Sequence, residues 1–306
     1  MRILIVLVGP TAVGKTETAI RLAGRFNGEI VSADSRQIYR GMDIGTAKPT
    51  PDQRTRIPHH LIDVVDPDAA FSLAQYQSAA YAAIDDILAR GRQPFLAGGT
   101  GLYVKAVCEG LRIPAVPPDP ELRAELEARA EREGELALYA ELQQVDPAAA
   151  ARIDPRNLRR TIRALEVHRL SGRRFSELGR SEPPSYRVLT IGLSLPRPEL
   201  YARIDARIDR MIAAGLVDET QRLAERYDWS LPSMSGLGYR QIGTYLRGEC
   251  ALDEAIAAIK RDTRRFVRHQ ANWFRPHDPH IIWREARGES ARDLEGILRR
   301  ALDAVQ

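Results

Sequence analysis

Eight residues, GPTAVGKT at 9–16, follow directly on the apolar run ILIVLV. Gly9, Gly14, Lys15 and Thr16 satisfy G-x-x-x-x-G-K-[ST], with a strand pattern before the loop and a helix pattern after it. Glycines at these places let backbone N–H groups converge on an anion, and the start of a helix adds partial positive charge. Lys15 can lie along a diphosphate, and the Thr16 hydroxyl can ligate Mg²⁺. The loop Gly9, Pro10, Thr11, Ala12, Val13, Gly14, Lys15 and Thr16 is therefore the candidate anion site. Its spacing leaves the phosphate open: a nucleotide, a small phosphorylated metabolite and a lipid-like diphosphate all fit. An ATP hydrolase also needs a metal-holding Asp at the end of a buried strand. The nearest segment, HLIDVVD at 60–66, has only a brief apolar run.

A second group of residues belongs at the same end of a sheet. EIVS at 29–32 reads as a short strand that stops just before Asp34, and QPFLA at 93–97 as another that runs into Gly98-Gly99-Thr100-Gly101. In open parallel sheets, ligands bind beyond the carboxyl ends of the strands. The anion loop, Asp34-Ser35-Arg36-Gln37 and Gly98-Gly99-Thr100 are expected to meet there. Asp34 then faces the phosphate site, where it can act as general base; a helix cap or a structural turn is the alternative use of such an Asp.

The elements that must position these residues alternate between strand and helix. Residues 3–8 read as a buried parallel strand, 16–26 as the following helix, and 71–90 as a further helix, which predicts an α/β parallel sheet of the P-loop kind. The proline-rich IPAVPPDP near 114 and SEPPSY at 181–186 break this pattern. Between them the chain has helix formers and no strand, so 115–185 reads as a helical insertion in a core made of 1–114 and 186–306. VLTIGLSL at 188–195 returns to strand character. Helices over 198–227 and 252–274, a strand over 280–283 and a last helix follow.

GPTAVGKT, DSRQIYRGMDIGTAKP, HHLID, GGTGLY and TRRFVRHQANWFR occur in one order along the chain. Together, from Gly9 to Arg275, they closely resemble the bacterial tRNA dimethylallyltransferases, also called tRNA isopentenyltransferases. The resemblance implies transfer of a dimethylallyl group from dimethylallyl diphosphate to N6 of the adenosine 3′ of the anticodon, with Mg²⁺ as cofactor. It makes the loop a clamp for a leaving diphosphate, joined by Arg203 of LYARIDARIDRM. It implies Asp34 as base, with Lys15 and Thr100 completing the catalytic set. It assigns tRNA contact to Asp34, Ser35, Arg36, Gln37 and Thr100, and in the insertion to Arg123, Arg159, Arg160, Thr161, Ile162 and Arg163. Val13 stands where the family usually has Ser, and His269 where it usually has Arg.

Charge agrees with an RNA partner in distribution more than in total. The formal net charge is a modest +4, but residues 152–180 hold nine arginines (152, 156, 159, 160, 163, 169, 173, 174 and 180) against Asp154, Glu166 and Glu177. A second basic stretch, Arg264, Arg265, Arg268 and Arg275, is interleaved with Phe266, Trp273 and Phe274, aromatics expected to serve the core of a long helix. Two distant cysteines, no zinc-like spacing, and no apolar run of membrane-spanning length point to a reduced, intracellular protein, and a cytoplasmic monomer is the expectation. Three other readings remain at this stage: a P-loop kinase of a small metabolite or nucleoside, a prenyltransferase acting on free adenine nucleotides, and an RNA-binding module with a relic nucleotide site. The first fails to explain the arginine-rich insertion, the second would not need it, and the intact set of Lys15, Thr16, Asp34 and Thr100 speaks against the third.

Overall fold

Branched apolar residues in unbroken runs make strands buried on both faces, and that is how the sheet begins. The computed structural model describes residues 2–178, 181–287 and 290–304. Strand β1 (Ile3–Val8) is buried throughout and leads into α1 (Lys15–Arg25) and β2 (Gly28–Ser32). Then come α2 (Pro51–Arg56), the two-residue β3 (His59–His60), α3 (Leu73–Ala89), β4 (Gln93–Ala97) and α4 (Gly101–Cys108). Four helices follow: α5 (Pro120–Glu133), α6 (Glu135–Val145), α7 (Pro147–Ala150) and α8 (Leu158–Ser171). The chain returns through β5 (Arg187–Ser194), α9 (Arg197–Ala213), α10 (Leu216–Ala224), α11 (Tyr239–Leu246), α12 (Leu252–Trp273), β6 (Ile281–Glu285) and α13 (Ser290–Asp303).

The six strands pair in parallel in the order β3-β2-β4-β1-β5-β6, the expected P-loop-like α/β sheet. Alternation along β1 sends Ile5 and Leu7 to one face and Leu4, Val6 and Val8 to the other. On the first face they meet α1, α9 and the later helices; on the second, α3 and α4. Each fully buried Leu or Ile contributes about 1.5–3 kcal/mol. The very short β3 is held by charge as well: buried Glu29 on β2 accepts from His60 Nε2 at 2.7 Å and from Arg90 and Arg92. The Arg90 hydrogen bond dominates and takes the Glu29 carboxyl down to about 2.

The chain forms two compact units, 1–108 with 184–306, and 109–183. The second has its own core, including Leu126, Leu138, Leu142, Ile162 and Leu165. The helix expected over 198–227 is two helices, because Gly215 takes a left-handed conformation (φ 96°) and turns the chain between α9 and α10. Near the HLIDVVD segment the strand is His59–His60 only. Leu61 and Asp63 sit at positive φ, which ends the extended run.

Candidate functional site

At the carboxyl ends of β1, β2 and β4 the structure has a cavity of about 610 Å³ within the first unit. The loop after β1 supplies one wall. Gly9 has φ 139°, and a Cβ there would lie 2.4 Å from the Leu193 carbonyl, so neither another residue type nor a shift is accommodated cheaply. Gly14 (φ 104°) starts α1. Val13 is fully buried in the core, which accounts for an apolar residue there: its side chain serves packing. Lys15 Nζ donates to the carbonyls of Gly9 (2.9 Å) and Pro10 (2.8 Å). Burial first, then the neighbouring Arg207, lower its pKa to about 7, against an opposing pull from Asp34.

Asp34 lines the same cavity, and its Oδ1 accepts from the Arg36 N–H at 2.9 Å. Thr100 orders this segment: its Oγ1 accepts the Ser35 N–H at 3.0 Å, while the Thr100 N–H bonds the Ala33 carbonyl at 3.1 Å. Close approach is possible because residue 98 is glycine; a Cβ there would lie 2.1 Å from the Ala33 oxygen. The remaining lining is mixed: α9 and α12 contribute the apolar Ile204, Ile208, Met211, Ile259 and Phe266, alongside the polar Arg207, Asp262, Arg265 and His269.

Of the residues read from the sequence, Thr11, Ala12, Lys15, Asp34, Ser35, Arg36 and Thr100 line this cavity, together with Gly99, Arg265, Phe266 and His269. Gly9, Pro10, Val13, Gly14 and Thr16 build the loop without lining it. Arg203 is a correction. It is exposed and pairs with Glu199 at 3.0 Å, whereas Arg207 lines the cavity and donates to Thr11 Oγ1 at 3.4 Å. Helix phase explains the difference, since Arg203 lies about 100° round from Ile204 and outside the lining stripe. Gln37 is also outside the lining: its amide braces the loop, accepting from Ser32 Oγ and donating to the Thr46 and Ala47 carbonyls.

In the second unit, α8 divides the predicted RNA residues by face. Arg159 and Arg160 are exposed, and no ion pair among the described residues engages them. Thr161 and Ile162 are buried in that unit's interior, so their side chains are not surface contacts as the resemblance implied. Arg163 and Arg123 converge instead on the buried Glu166 carboxylate; Arg123 does so from Nε at 2.7 Å and Nη2 at 2.9 Å. Burial pushes the Glu166 carboxyl up, but these hydrogen bonds and one from the Asp119 N–H outweigh it and hold it below the usual range. Arg180 lies outside the described residues. The aromatics of α12 also differ from expectation: Phe274 is buried, but Phe266 and Trp273 are 40% and 47% exposed.

Three residues that the sequence did not single out shape the cavity. Buried Glu219 on α10 accepts the N–H groups of Asp43, Ile44 and Gly45 at 2.9–3.0 Å and the Tyr239 hydroxyl at 2.7 Å. This anchors the Gly45-Thr46 rim, and residue 45 must be small because a Cβ would come 2.5 Å from the Tyr239 ring. Gln270 on α12 bridges two of the loops. Gln270 lies within the ordered motif TRRFVRHQANWFR, whereas Glu219 and Tyr239 lie outside the ordered motifs and carry no local hint.

A family model described as IPP transferase matches residues 37–277, and one described as isopentenyl transferase matches 2–62. Among relatives, the tRNA dimethylallyltransferase of Roseiflexus sp. (strain RS-1) is 63% identical over 273 residues, 89% of this chain and 90% of the relative. That of Roseiflexus castenholzii is 56% identical over 306 residues, 98% and 99% of the two chains. The crystal structure of a full-length tRNA isopentenylpyrophosphate transferase from Bacillus halodurans is similar with a TM-score of 0.75 and 41% identity, covering 99% of this chain and 98% of that one. A eukaryotic dimethylallyltransferase acting on tRNA is similar with a TM-score of 0.81 and 25% identity, over 98% and 78%.

Proposed function

The chain belongs to the IPP transferase family, and from that premise we propose that it transfers a dimethylallyl group from dimethylallyl diphosphate to N6 of the adenosine 3′ of the anticodon in tRNA, releasing diphosphate. The observation that carries this reading is one cavity lined together by Thr11 and Lys15 of the anion loop, by Asp34 and Thr100, and by apolar side chains of α9 and α12. A kinase reading uses the anion loop equally well but has no need of those apolar side chains.

The allylic C–O bond breaks as the N6–C bond forms, the N6 proton passes to Asp34, and the diphosphate leaves with the C–O electron pair. Lys15, Arg207 and the loop amides offset charge growing on the leaving oxygen. The apolar side chains of α9 and α12 receive the hydrocarbon and keep water from the allylic carbon. Asp34, in the same cavity as the cradle, is the proton acceptor, and Thr100 holds its segment through Ser35. The adenosine enters flipped from its neighbours, because a stacked base cannot reach such a cavity.

The residues present fit Mg²⁺ of a particular kind. Thr16 offers a hydroxyl engaged in no hydrogen bond among the described residues, and no three His, Cys, Asp or Glu of those residues are grouped around a metal. An ion held chiefly by diphosphate and water, with Thr16 as a protein ligand, matches Mg²⁺ practice. When bound, it neutralises negative charge on the diphosphate. We assign the second unit, with Arg159 and Arg160 exposed, to the tRNA, and take the working enzyme as a cytoplasmic monomer. Among the described residues no helix is long and apolar enough to cross a membrane.

The test is incubation with Mg²⁺, labelled dimethylallyl diphosphate and, separately, tRNA, AMP or ATP. Label entering tRNA supports the proposal. Label entering only AMP or ATP, or phosphoryl transfer from ATP without prenyl uptake, overturns it.

A further inference from the structure

Gln270 comes from α12, far along the chain from the loops that carry the chemistry, and both ends of its buried amide are engaged there. Oε1 accepts the Thr11 N–H at 2.9 Å, and Nε2 donates to the Gly99 carbonyl at 3.0 Å. Only this orientation of the amide satisfies both partners, since one offers a donor and the other an acceptor. Thr11 follows β1 and Gly99 follows β4, and these strands are neighbours in the sheet. One side chain thus ties together two loops whose strands the sheet has already placed in register.

The neighbourhood is shaped to admit this tie. A Cβ on residue 99 would lie 2.4 Å from Gln270 Nε2, so glycine there makes room for the amide. One turn further along α12, Trp273 seats against Gly101, where a Cβ would lie 2.2 Å from the ring. The connection continues on both sides of Gln270. Toward the anion, Thr11 adjoins Pro10, whose carbonyl Lys15 holds at 2.8 Å. Toward the base, Gly99 adjoins Thr100, which fixes Ser35 and so the Asp34 segment.

We infer that Gln270 is a positioning residue that sets the spacing between the diphosphate loop and the Gly99-Thr100 turn, keeping leaving oxygen, allylic carbon and attacking amine in line. The inference rests on the prenyl-transfer reading. Displacement at carbon is sensitive to such spacing, and a shift of ~1 Å costs on the order of 10²-fold in rate.

Gln270→Met removes both hydrogen bonds at nearly constant volume. The expected result is a fall of about 10–100-fold in kcat for transfer to tRNA, with the Kd values of Mg²⁺-pyrophosphate and of tRNA each within about threefold of wild type. Turnover within about twofold of wild type overturns the inference, as do affinities that fall as far as kcat does, the signature of a general loss of structure. Should that variant fail to fold, Gln270→Asn keeps the polarity but is one methylene too short to reach both loops. The same split is expected of it, and the same outcomes overturn the inference. Wild-type enzyme run alongside keeps the two claims apart: no transfer to tRNA by wild type defeats the underlying reading, whereas normal transfer by both defeats only the role of Gln270.

Discussion

Arg207 donates from Nη1 to the Thr11 hydroxyl at 3.4 Å, bringing a guanidinium from α9 against the anion loop beside Lys15. On the proposed reading, two basic side chains, Lys15 and Arg207, adjoin the place of the leaving group. Arg207→Ala is expected to raise the Kd of Mg²⁺-pyrophosphate by roughly 10–100-fold, the range for hydrogen bonds to charged groups. Arg203→Ala removes only an exposed pair with Glu199 and should leave that Kd nearly unchanged. Titration calorimetry on the two variants checks the order; equal effects would return Arg203 to the site.

Lys15 has its pKa lowered to about 7, by burial and then by Arg207. An arriving diphosphate favours the ammonium, so at pH 8 binding should take up protons. Calorimetry in Tris and in HEPES, whose ionisation enthalpies differ, measures that uptake, with Lys15→Met as the control that abolishes it. The same lowering means that the unfolded chain binds more protons between about pH 7 and the ordinary lysine range. The Lys15 contribution to stability therefore rises with pH across that window. An uptake identical in Lys15→Met would place the proton elsewhere.

Asp34→Ala should depress the single-turnover rate by ~10²–10⁴-fold, the usual contribution of a general base. Affinity for tRNA, measured by filter binding, should change little. Near-normal turnover would remove Asp34 from the chemistry and leave it as a turn residue that accepts from Arg36.

Arg159 and Arg160 are exposed on α8, whereas Arg123 and Arg163 are committed to Glu166. Replacing the first two by Ala should weaken tRNA binding and reduce the slope of log Kd against log salt by roughly one to two. An unaltered slope would move the RNA surface off this helix.

Glu166→Ala leaves two arginines around an empty, buried position, and should destabilise the second unit by about 3 kcal/mol in urea unfolding of the full chain. Because the folded Glu166 carboxyl is held below the usual range, its contribution is complete above the ordinary carboxylate pKa and fades as pH falls through the lowered value. The difference between wild type and variant should accordingly narrow in acid. A constant difference down to pH 2 would mean that the pairing is not what stabilises.

Much of the site was legible because its signals are local. A glycine-rich loop between a buried strand and a helix specifies its own backbone, and a short apolar run ending before Asp34 puts that carboxylate at the sheet's carboxyl edge. The arginines of α8 were legible as a composition and as helical spacings of three and four, not as a division between solvent and interior. Which of them face solvent depended on the core that Ile162 and Leu165 complete, so Thr161 and Ile162 came out inside and Arg159 and Arg160 outside. Phe266 and Trp273 went the other way, exposed where a long helix was expected to bury its aromatics.

From the sequence alone came the glycine loop between strand and helix, the parallel sheet and the run of helices that interrupts it, since glycine dihedrals and apolar periodicity act between near neighbours along the chain. Only the tertiary structure decided that Arg207 and not Arg203 joins Thr11, that Glu219 holds the Gly45 rim, and that Gln270 links the loops after β1 and β4. Those choices depend on the rotation and seating of α9, α10 and α12 against the sheet. The packing of apolar faces from distant segments sets that seating, and the polar tips arrive wherever those faces carry them.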